Sequence, residues 1–319
     1  MDPDTDVKFE FFPFIRQYRS GRIERFYSDD QIPAAVNDET GVTSKDIIVD
    51  PETGVSVRVF LPTFGDTRPK KLPIYVYFHG GGFVIGSAFG PTSHHYLTPL
   101  VAKANIIAVS VDYRLAPEHP LPIAYEDSWA ALKWVLSQAA GGGAEAWLAE
   151  HGDFERIFVG GCSAGGNLAH HMALRAGAAE LGLGARIRGM VLIHPYFGGS
   201  DPFPSELVDK GLKEKMDGMW VLACPGTVGM DDPLVNPLAE AAPSLKGLGC
   251  EKVLVCVAEK DVLRERGRAY YEGLKRSGWG GEVEWLESEG VGHAFHVQKF
   301  DCEQALELME RTVKFISGS

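Results

Sequence analysis

The fold of this chain is decided by one stretch, Arg156-Ile-Phe-Val-Gly-Gly-Cys-Ser-Ala-Gly-Gly-Asn-Leu168, in which an apolar run meets a glycine-rich turn and then a helix-compatible run. Gly161 to Gly165 of this stretch have the form G-x-S-x-G. Such a turn between a strand and a helix lifts the serine hydroxyl above the sheet, and its glycines avoid clashes in the strained backbone. We therefore predict Ser163 as a nucleophile. Cys162 is an alternative nucleophile, although the serine holds the apex of the motif.

Short apolar or β-branched runs recur along the chain, and the central ones are apolar at nearly every position. Runs of this kind are typical of strands buried on both faces of a mostly parallel sheet. The eight predicted strands are Asp46–Val49, Val55–Leu61, Pro73–His79, Asn105–Val111, Arg156–Gly160, Met190–His194, Lys252–Ala258 and Val283–Leu286. The predicted helices are Tyr125–Ser137, Leu168–Arg175, Arg264–Ser277 and Cys302–Ile316. This alternation predicts a doubly wound α/β sheet with helices on both faces, which begins antiparallel because few helices separate the first strands.

A second glycine-rich segment, His79-Gly-Gly-Gly-Phe83, follows the predicted strand that contains Tyr75-Val-Tyr-Phe78. Three consecutive glycines are costly in chain entropy, which suggests that the backbone itself is used. Fixed backbone N–H groups stabilise the negative oxygen of an acyl-transfer intermediate, and lipases and esterases use the H-G-G-G form for this purpose. We predict an oxyanion hole from the N–H groups of Gly81, Gly82 and Ala164, with His79 bracing the loop. A phosphate-binding loop is disfavoured because no Gly-Lys-Ser/Thr follows.

A general base is expected downstream of the serine, because on this pattern the order is serine, acid, histidine. His293 lies in Gly-Val-Gly-His-Ala-Phe, a loop after the last predicted strand and before the final helix, where a loop-borne base belongs. His296 is the reserve candidate. The other downstream histidines are placed in the helix after the nucleophile or at the end of a strand, and they are expected to be structural: His170, His171 and His194.

The acid is expected after the strand that precedes the last one. Glu259-Lys-Asp261 follows the predicted strand Lys252–Ala258 directly. A carboxylate there would hold the imidazole in one tautomer and stabilise the imidazolium as it forms. We predict Asp261 for this role, with Glu259 as the alternative.

Composition limits the classes of protein that this chain can represent. It has 319 residues, 45% of them hydrophobic and 23% charged, which fits a single large α/β domain over residues 1–319 with a sizeable core. The formal net charge of −12 would repel nucleic acid, and no run of lysine and arginine compensates for it. The Gly/Ala stretch Ala139–Ala146 is predicted to be a flexible surface loop.

Cysteine usage and the N-terminal residues bear on cofactors and location. The five cysteines are scattered without C-x-x-C spacing, which disfavours both a disulfide framework and a zinc site. No metal or cofactor is therefore predicted. The acidic N-terminus is followed by no apolar run of signal-peptide type, and no apolar stretch is long enough for a bilayer. We accordingly expect a cytoplasmic protein without a membrane or nucleic-acid partner; the sequence makes no prediction of oligomeric state.

Together these motifs resemble the plant carboxylesterases of the hormone-sensitive-lipase-like group, which also holds the gibberellin receptors and the 2-hydroxyisoflavanone dehydratases. The resemblance covers nearly the whole chain. It rests on an ordered set of segments: Phe11–Tyr18, Gly21–Arg25, His79–Phe83, Val111–Glu118, Pro122–Asp127, Gly161–Gly166, Asp232–Pro237, Glu259–Asp261 and Gly292–Phe295. It implies the α/β-hydrolase fold with a central sheet of about eight strands, a small cap from about residues 1–45 and 197–226, and cleavage of small acyl or aromatic esters through an acyl-enzyme.

One position departs from the group, because relatives often carry aspartate where this chain has Cys162. The triad does not depend on that position, although the polarity beside the serine differs. In the segment Arg-Leu-Ala-Pro-Glu we expect Arg114 and Glu118 to be buried and to brace the site without taking part in the chemistry.

Two other functions fit the resemblance. Receptors of the group have lost the catalytic histidine, whereas this chain keeps His293. A lyase or cyclase of specialised metabolism would use the same pocket for proton abstraction without an acyl-enzyme. The dehydratase relatives tend to carry threonine at the nucleophile and an altered glycine run, and the intact Ser163 and H-G-G-G argue against that function here.

Apolar side chains of the expected cap are the candidates for the substrate pocket, and collectively they favour an acyl or aromatic ester over a polar one. They are Phe11, Phe12, Phe14, Ile15, Phe83, Phe89 and Trp220.

Overall fold

A computed structural model describes residues 3–27, 30–64, 71–140, 145–179 and 186–318. Its strands form a three-stranded and an eight-stranded sheet. The small sheet contains β1 (Val7–Phe11), β2 (Ile15–Tyr18) and β3 (Ile23–Arg25). The large sheet contains β4 (Thr43–Ile48), β5 (Ser56–Leu61), β6 (Leu72–Phe78), β7 (Ile107–Asp112), β8 (Gly152–Cys162), β9 (Ile187–Ile193), β10 (Cys250–Ala258) and β11 (Glu282–Ser288). Part of the predicted flexible loop, residues 141–144, lies outside the described residues.

The large sheet has the strand order β11-β10-β9-β8-β6-β7-β5-β4. β4 pairs antiparallel with β5, and β5 antiparallel with β7, whereas the remaining neighbours are parallel. The predicted α/β fold with a mostly parallel sheet of about eight strands is confirmed. Each predicted strand overlaps one of these eight.

Helices cover both faces of the large sheet. They are α1 (Pro91–Ala104), α2 (Ile123–Ser137), α3 (Ala146–His151), α4 (Ala164–Ala178), α5 (Pro204–Val208), α6 (Lys210–Ala223), α7 (Arg264–Arg276), α8 (Phe295–Gln298) and α9 (Glu303–Ser317). The side chains of β6 explain why two layers are needed: Ile74 and Val76 join one hydrophobic cluster with α2, α4 and α7, while Tyr75 and Tyr77 join another with α1 and α9. A strand that is apolar on both faces must be covered on both. Among the helices of the described residues, none is long and apolar enough to cross a membrane.

The N-terminal residues form a small antiparallel sheet, which the sequence did not indicate. β2 pairs with both β1 and β3, and β1 packs against α6, where Gly218 faces the ring of Phe9. A side chain at Gly218 would collide with that ring, since a Cβ there would lie 2.5 Å from it. The segments expected to form the cap, residues 1–45 and 197–226, therefore meet each other through β1 and α6.

Candidate active site

The serine of the G-x-S-x-G motif occupies a sharp turn between β8 and α4. Ser163 has φ +56° and ψ −118°, a backbone conformation that L-residues rarely adopt and that must be enforced by the surrounding structure. Its N–H donates to the carbonyl of Ile193 on β9 at 2.9 Å. A Cβ on either Gly161 or Gly165 would overlap the carbonyl of Phe78 on β6. The two glycines are thus required by close packing of the turn against the neighbouring strand.

The predicted base and acid are joined directly. His293 Nδ1 lies 2.7 Å from Asp261 Oδ2, and Asp261 Oδ1 accepts the N–H of Leu263 at 2.9 Å. Asp261 is buried, with 3% of its surface exposed. Ser163, Asp261 and His293 all line one cavity. The Asp261 carboxylate therefore binds Nδ1 of His293 and leaves the other ring nitrogen, Nε2, free to accept a proton from a substrate or from the serine.

The two groups shift each other's pKa in the directions that this arrangement needs. Burial disfavours the protonated form of His293, but the charge and hydrogen bond of Asp261 outweigh it and raise the pKa of His293. Burial likewise opposes the charged form of Asp261, yet the charge and hydrogen bond of His293, the nearby His194 and the N–H of Leu263 lower its pKa overall. Asp261 is therefore a carboxylate at neutral pH, and it accepts a proton-bearing Nδ1.

The predicted oxyanion segment has a backbone that few residues can adopt. Gly81, Gly82 and Phe83 have φ of +107°, +60° and +66° in succession. A Cβ on Gly81 would also overlap the carbonyl of Ile85, so that position requires glycine. Gly81 and Gly82 line the cavity that holds Ser163. Ala164 is buried and opens α4, where backbone N–H groups have no intrahelical acceptor.

Replacing Gly81 with alanine is expected to lower kcat of ester hydrolysis by about 10²–10³-fold, the cost of losing one oxyanion donor. The added methyl group would push against Ile85 and turn the amides of the loop away from the substrate. Gly54→Ala is the matched control: Gly54 also has positive φ, +79°, but no atom lies within 4 Å of the new methyl position. Steady-state kinetics on both variants check this, and equal rates for the two at equal Tm would remove Gly81 from the oxyanion hole.

The cavity has a volume of about 580 Å³. Phe11 and Phe14 come from the N-terminal sheet, Met216 and Met219 from α6, and Ile85 from the loop after the glycines. The sulfur of Met219 lies beside Gly82, 2.5 Å from where a Cβ would stand. One wall of the cavity is thus apolar and is built from both cap segments. Polar side chains also line the cavity, among them those of Tyr27, Thr92, Lys260 and Gln298.

Of the seven predicted pocket residues, the structure places Phe11 and Phe14 at the cavity and the other five elsewhere. Phe12 is 62% exposed and packs on Phe26. Phe89 lies below the guanidinium of Arg58, at 5.2 Å. The remaining three side chains have no exposed surface and belong to the hydrophobic core: Ile15, Phe83 and Trp220. Sequence reasoning missed Leu212, Met216 and Met219, whose i, i+4, i+7 spacing on α6 marks one face of a helix.

The alternative candidates for base, acid and nucleophile have other surroundings. Glu259 accepts the N–H of Gly290 at 2.7 Å and is exposed. His296 is buried against the ring of Tyr96, and burial lowers its pKa well below the ordinary value. Cys162 lines the cavity, but burial raises the pKa of its thiol, which disfavours the nucleophilic thiolate.

His194, which was expected to be structural, supports the loop that carries the predicted base. Its Nδ1 accepts the N–H of Ala294, the residue after His293, at 3.1 Å. The backbone N–H of His194 donates to the carbonyl of Cys256 on β10 at 2.8 Å, and the φ of His194 is +47°. Burial lowers the pKa of His194 to about 3, so the ring stays neutral. His194 therefore ties the end of β9 to the loop that carries the base.

Of the residues expected to brace the site, His79 is buried and bonds within its loop, whereas Arg114 and Glu118 are more exposed than predicted. His79 stacks on Tyr113 at 4.1 Å between ring centroids, and the Tyr113 hydroxyl donates to the His79 carbonyl at 2.8 Å. Arg114 forms a two-pronged pair with Asp127. Glu118 is not buried: its side chain is 47% exposed, because it reaches outward to an arginine of the N-terminal sheet.

The fold and the site together define a serine hydrolase, and comparison with known proteins shows which family it is. A family model described as alpha/beta hydrolase fold matches residues 75–297, so the chain belongs to that family. It is 48% identical over 315 residues to tuliposide A-converting enzyme 2, chloroplastic, of Tulipa gesneriana, covering 99% of this chain and 80% of that one. It is 45% identical to probable carboxylesterase 2 of Arabidopsis thaliana, covering 98% and 96%. The solved structure of EstE1, a thermostable carboxylesterase from a metagenomic library, matches with TM-score 0.72 and 30% identity over 90% of each chain.

These similarities identify the chain as a carboxylesterase-like enzyme with plant relatives, in agreement with the resemblance seen in the sequence. They contradict the predicted cytoplasmic location. Tulip relatives at 48% and 47% identity are named chloroplastic or amyloplastic. The prediction was wrong because it rested on the lack of an apolar signal sequence, and targeting to a plastid does not require one.

Proposed function

We propose that Ser163, His293 and Asp261 are the catalytic triad of a carboxylesterase that cleaves small acyl or aromatic esters. The observation that carries this proposal is the 2.7 Å contact between His293 Nδ1 and Asp261 Oδ2 beside the cavity that Ser163 also lines. The plastid names of the tulip relatives support a plastid location for this enzyme as well.

In the first half of the reaction, Ser163 Oγ attacks the ester carbonyl carbon while His293 Nε2 takes the hydroxyl proton. The carbonyl oxygen becomes negative, and the N–H groups of Gly81, Gly82 and Ala164 stabilise it. Asp261 stabilises the imidazolium that forms. The carbon–oxygen bond to the alcohol then breaks, His293 gives its proton to the leaving alkoxide, and the acyl group stays on Ser163.

In the second half, His293 removes a proton from a water molecule, whose oxygen attacks the acyl-enzyme carbonyl. The same N–H groups hold the second oxyanion. The bond to Ser163 breaks, the serine recovers its proton from His293, and the carboxylic acid leaves.

The apolar wall supports the substrate class. Aromatic and methionine side chains bind an acyl chain or ring by burying it, at about 25 cal/mol per Å² of apolar area removed from water. The two flexible methionines on α6 can adapt to acyl groups of different shapes. These apolar side chains lie within residues 1–45 and 197–226, which we assign as the cap. In this proposal the acyl group of the substrate binds against them.

The test uses p-nitrophenyl acetate, butyrate and octanoate together with a fluorophosphonate probe. We expect turnover of the short esters and a phosphonate adduct on the peptide that contains Ser163, identified by mass spectrometry. A protein that hydrolyses none of the three esters and takes up no probe would rule the proposal out.

A second function, elimination or cyclisation of an ester without an acyl-enzyme, is kept because tulip relatives at 48% identity are named converting enzymes and not esterases. Reactions in water enriched in ¹⁸O separate the two. Hydrolysis places ¹⁸O in the released acid, whereas a product without label from an ester that is consumed indicates the second function.

A further inference from the structure

Arg25, at the end of β3, makes its contacts with the segments that support the predicted oxyanion loop. Its Nε donates to the carbonyl of Val84 at 2.7 Å, and its Nη2 donates to the carbonyl of Ala116 at 3.0 Å. Its side chain is 20% exposed. A guanidinium presents its donors in a rigid fork, so two carbonyls bound at once fix the relative position of two chain segments.

Both of these carbonyls belong to residues that hold the glycine run. The N–H groups of Val84 and Ile85 donate to the Gly81 carbonyl at 3.0 and 3.1 Å. The N–H of Ala116 donates to the Phe83 carbonyl at 2.9 Å. Arg25 thus binds Val84, which directly follows the three positive-φ residues, and Ala116, which donates to the third of them, Phe83.

Such a loop needs external support. A non-glycine residue at positive φ, such as Phe83, costs about 1–3 kcal/mol and persists only where its surroundings enforce it. Hydrogen bonds to charged donors are about twice as strong as neutral ones. The Arg25 contacts are therefore suited to keeping the amides of Gly81 and Gly82 in one orientation while charge develops on the substrate.

Glu118 completes the arrangement by orienting the guanidinium. Its two carboxylate oxygens lie 2.8 Å from Nη1 and 2.6 Å from Nη2 of Arg25. The hydrogen bond from Arg25 lowers the pKa of Glu118, so the pair stays charged through neutral pH. Because Glu118 is about half exposed, its charge contributes little to stability; its effect is to fix the plane of the fork.

The same N-terminal segment also contributes to the apolar wall. Phe11 and Phe14 line the cavity, the N–H of Phe26 donates to the Phe14 carbonyl at 3.1 Å, and Phe9 packs against Gly218 of α6. One rigid element therefore contacts the substrate cavity on one side and the oxyanion loop on the other.

We propose that Arg25 is a positioning residue for the oxyanion hole: through Val84 and Ala116 it holds the amides of Gly81 and Gly82 in the orientation that stabilises the transition state. This inference rests on the proposed esterase function. It assigns to the N-terminal sheet a part in catalysis beyond covering the cavity.

The test compares the native chain with Arg25→Ala, Arg25→Lys and Glu118→Gln on p-nitrophenyl butyrate. We expect Arg25→Ala to lower kcat by about 10–100-fold with KM changed less than about 3-fold, because the interaction is made to the transition state. Arg25→Lys keeps the positive charge but not the forked set of donors, so its kcat should lie between those of the native chain and Arg25→Ala. Glu118→Gln keeps hydrogen-bonding atoms and should lose about 2–5-fold in kcat.

A trifluoromethyl ketone inhibitor gives a second readout. Ser163 Oγ adds to its carbonyl carbon, the serine proton passes to His293, and the ketone oxygen becomes an oxyanion that requires the same N–H groups. Its inhibition constant should rise in Arg25→Ala by the same factor by which kcat/KM falls. A role in folding alone would not produce this proportionality, because it would change the amount of active enzyme and not the inhibition constant.

Arg22→Ala is the matched control. Arg22 belongs to the same small sheet, where it bonds the Asp4 carbonyl and lies over the Tyr18 ring, away from the glycine loop. We expect native kcat and inhibition constant for this variant. If Arg25→Ala has an unchanged inhibition constant, or if only its KM changes, the proposal for Arg25 is overturned. Turnover and Ser163 labelling of the native protein test the triad separately, so this result would leave the proposed function standing. If Arg25→Ala does not fold, Arg25→Lys and Glu118→Gln decide by the same two measurements.

Discussion

Replacing Ser163 with alanine is expected to lower kcat of ester hydrolysis by about 10⁶-fold, the loss found when a serine hydrolase is deprived of its nucleophile. Without Oγ no acyl-enzyme forms, and the oxyanion hole can assist only direct attack by water. Alanine meets the same backbone strain at φ +56°, so the variant should keep its Tm. A p-nitrophenyl ester assay, with fluorophosphonate labelling as the second measurement, checks the expectation.

The Cys162→Ala variant tests whether Ser163 or the neighbouring Cys162 is the nucleophile. Since Cys162 is a buried thiol whose pKa is raised, we expect this variant to carry the phosphonate adduct on Ser163 as the native protein does. A Ser163→Ala variant that still forms the adduct, together with a Cys162→Ala variant that does not, would show that the cysteine is the nucleophile.

Replacing Asp261 with asparagine is expected to lower kcat by about 10⁴-fold, because the amide no longer holds His293 in the tautomer that leaves Nε2 free to accept a proton. The pH dependence should change as well. His293 must be neutral to act as a base, so activity is lost as the pH falls through its pKa, which Asp261 raises. Without the carboxylate the pKa falls, and the acidic limb of the kcat/KM profile moves to lower pH.

Glu259→Gln is the control for this change, since Glu259 is exposed and its carboxylate accepts only the backbone N–H of Gly290 among the hydrogen bonds described. Its kcat should stay within about 3-fold of the native value, as for most exposed positions. A loss of several thousandfold in Glu259→Gln, with Asp261→Asn nearly native, would reassign the acid.

The large sheet could be predicted because its central strands are short apolar runs, and burial on both faces leaves few other ways to place Ile74–Val76 or Ile107–Val111. The N-terminal sheet could not. Its strands have three to five residues and carry charges such as Arg16 and Glu24, so their pattern indicates no buried face. They are held by pairing with one another and by packing on α6, a helix that lies about 200 residues away in sequence.

The candidate triad could be located from sequence because strand order in this fold brings its residues to one edge of the sheet. The cavity wall depends instead on which way each side chain points. Phe83 is a pocket candidate on sequence because it is apolar, but at its positive φ the side chain packs in the core against Tyr125, Tyr196 and Trp220. The hydrogen bond between His194 and Ala294 joins segments that are far apart in the sequence, and no local sequence pattern predicts it.

The union of the cavity wall and Arg25 in one small sheet restricts how relatives of this enzyme can diverge. We expect natural variation at Phe11 and Phe14 to alter substrate preference, and Arg25 follows 11 residues after Phe14 in the same N-terminal segment. An exchange of this segment between homologues would carry a change in preference and a change in turnover together. Selection on substrate preference is then tied to selection on turnover, unless Glu118, whose side chain orients Arg25, is exchanged together with the segment.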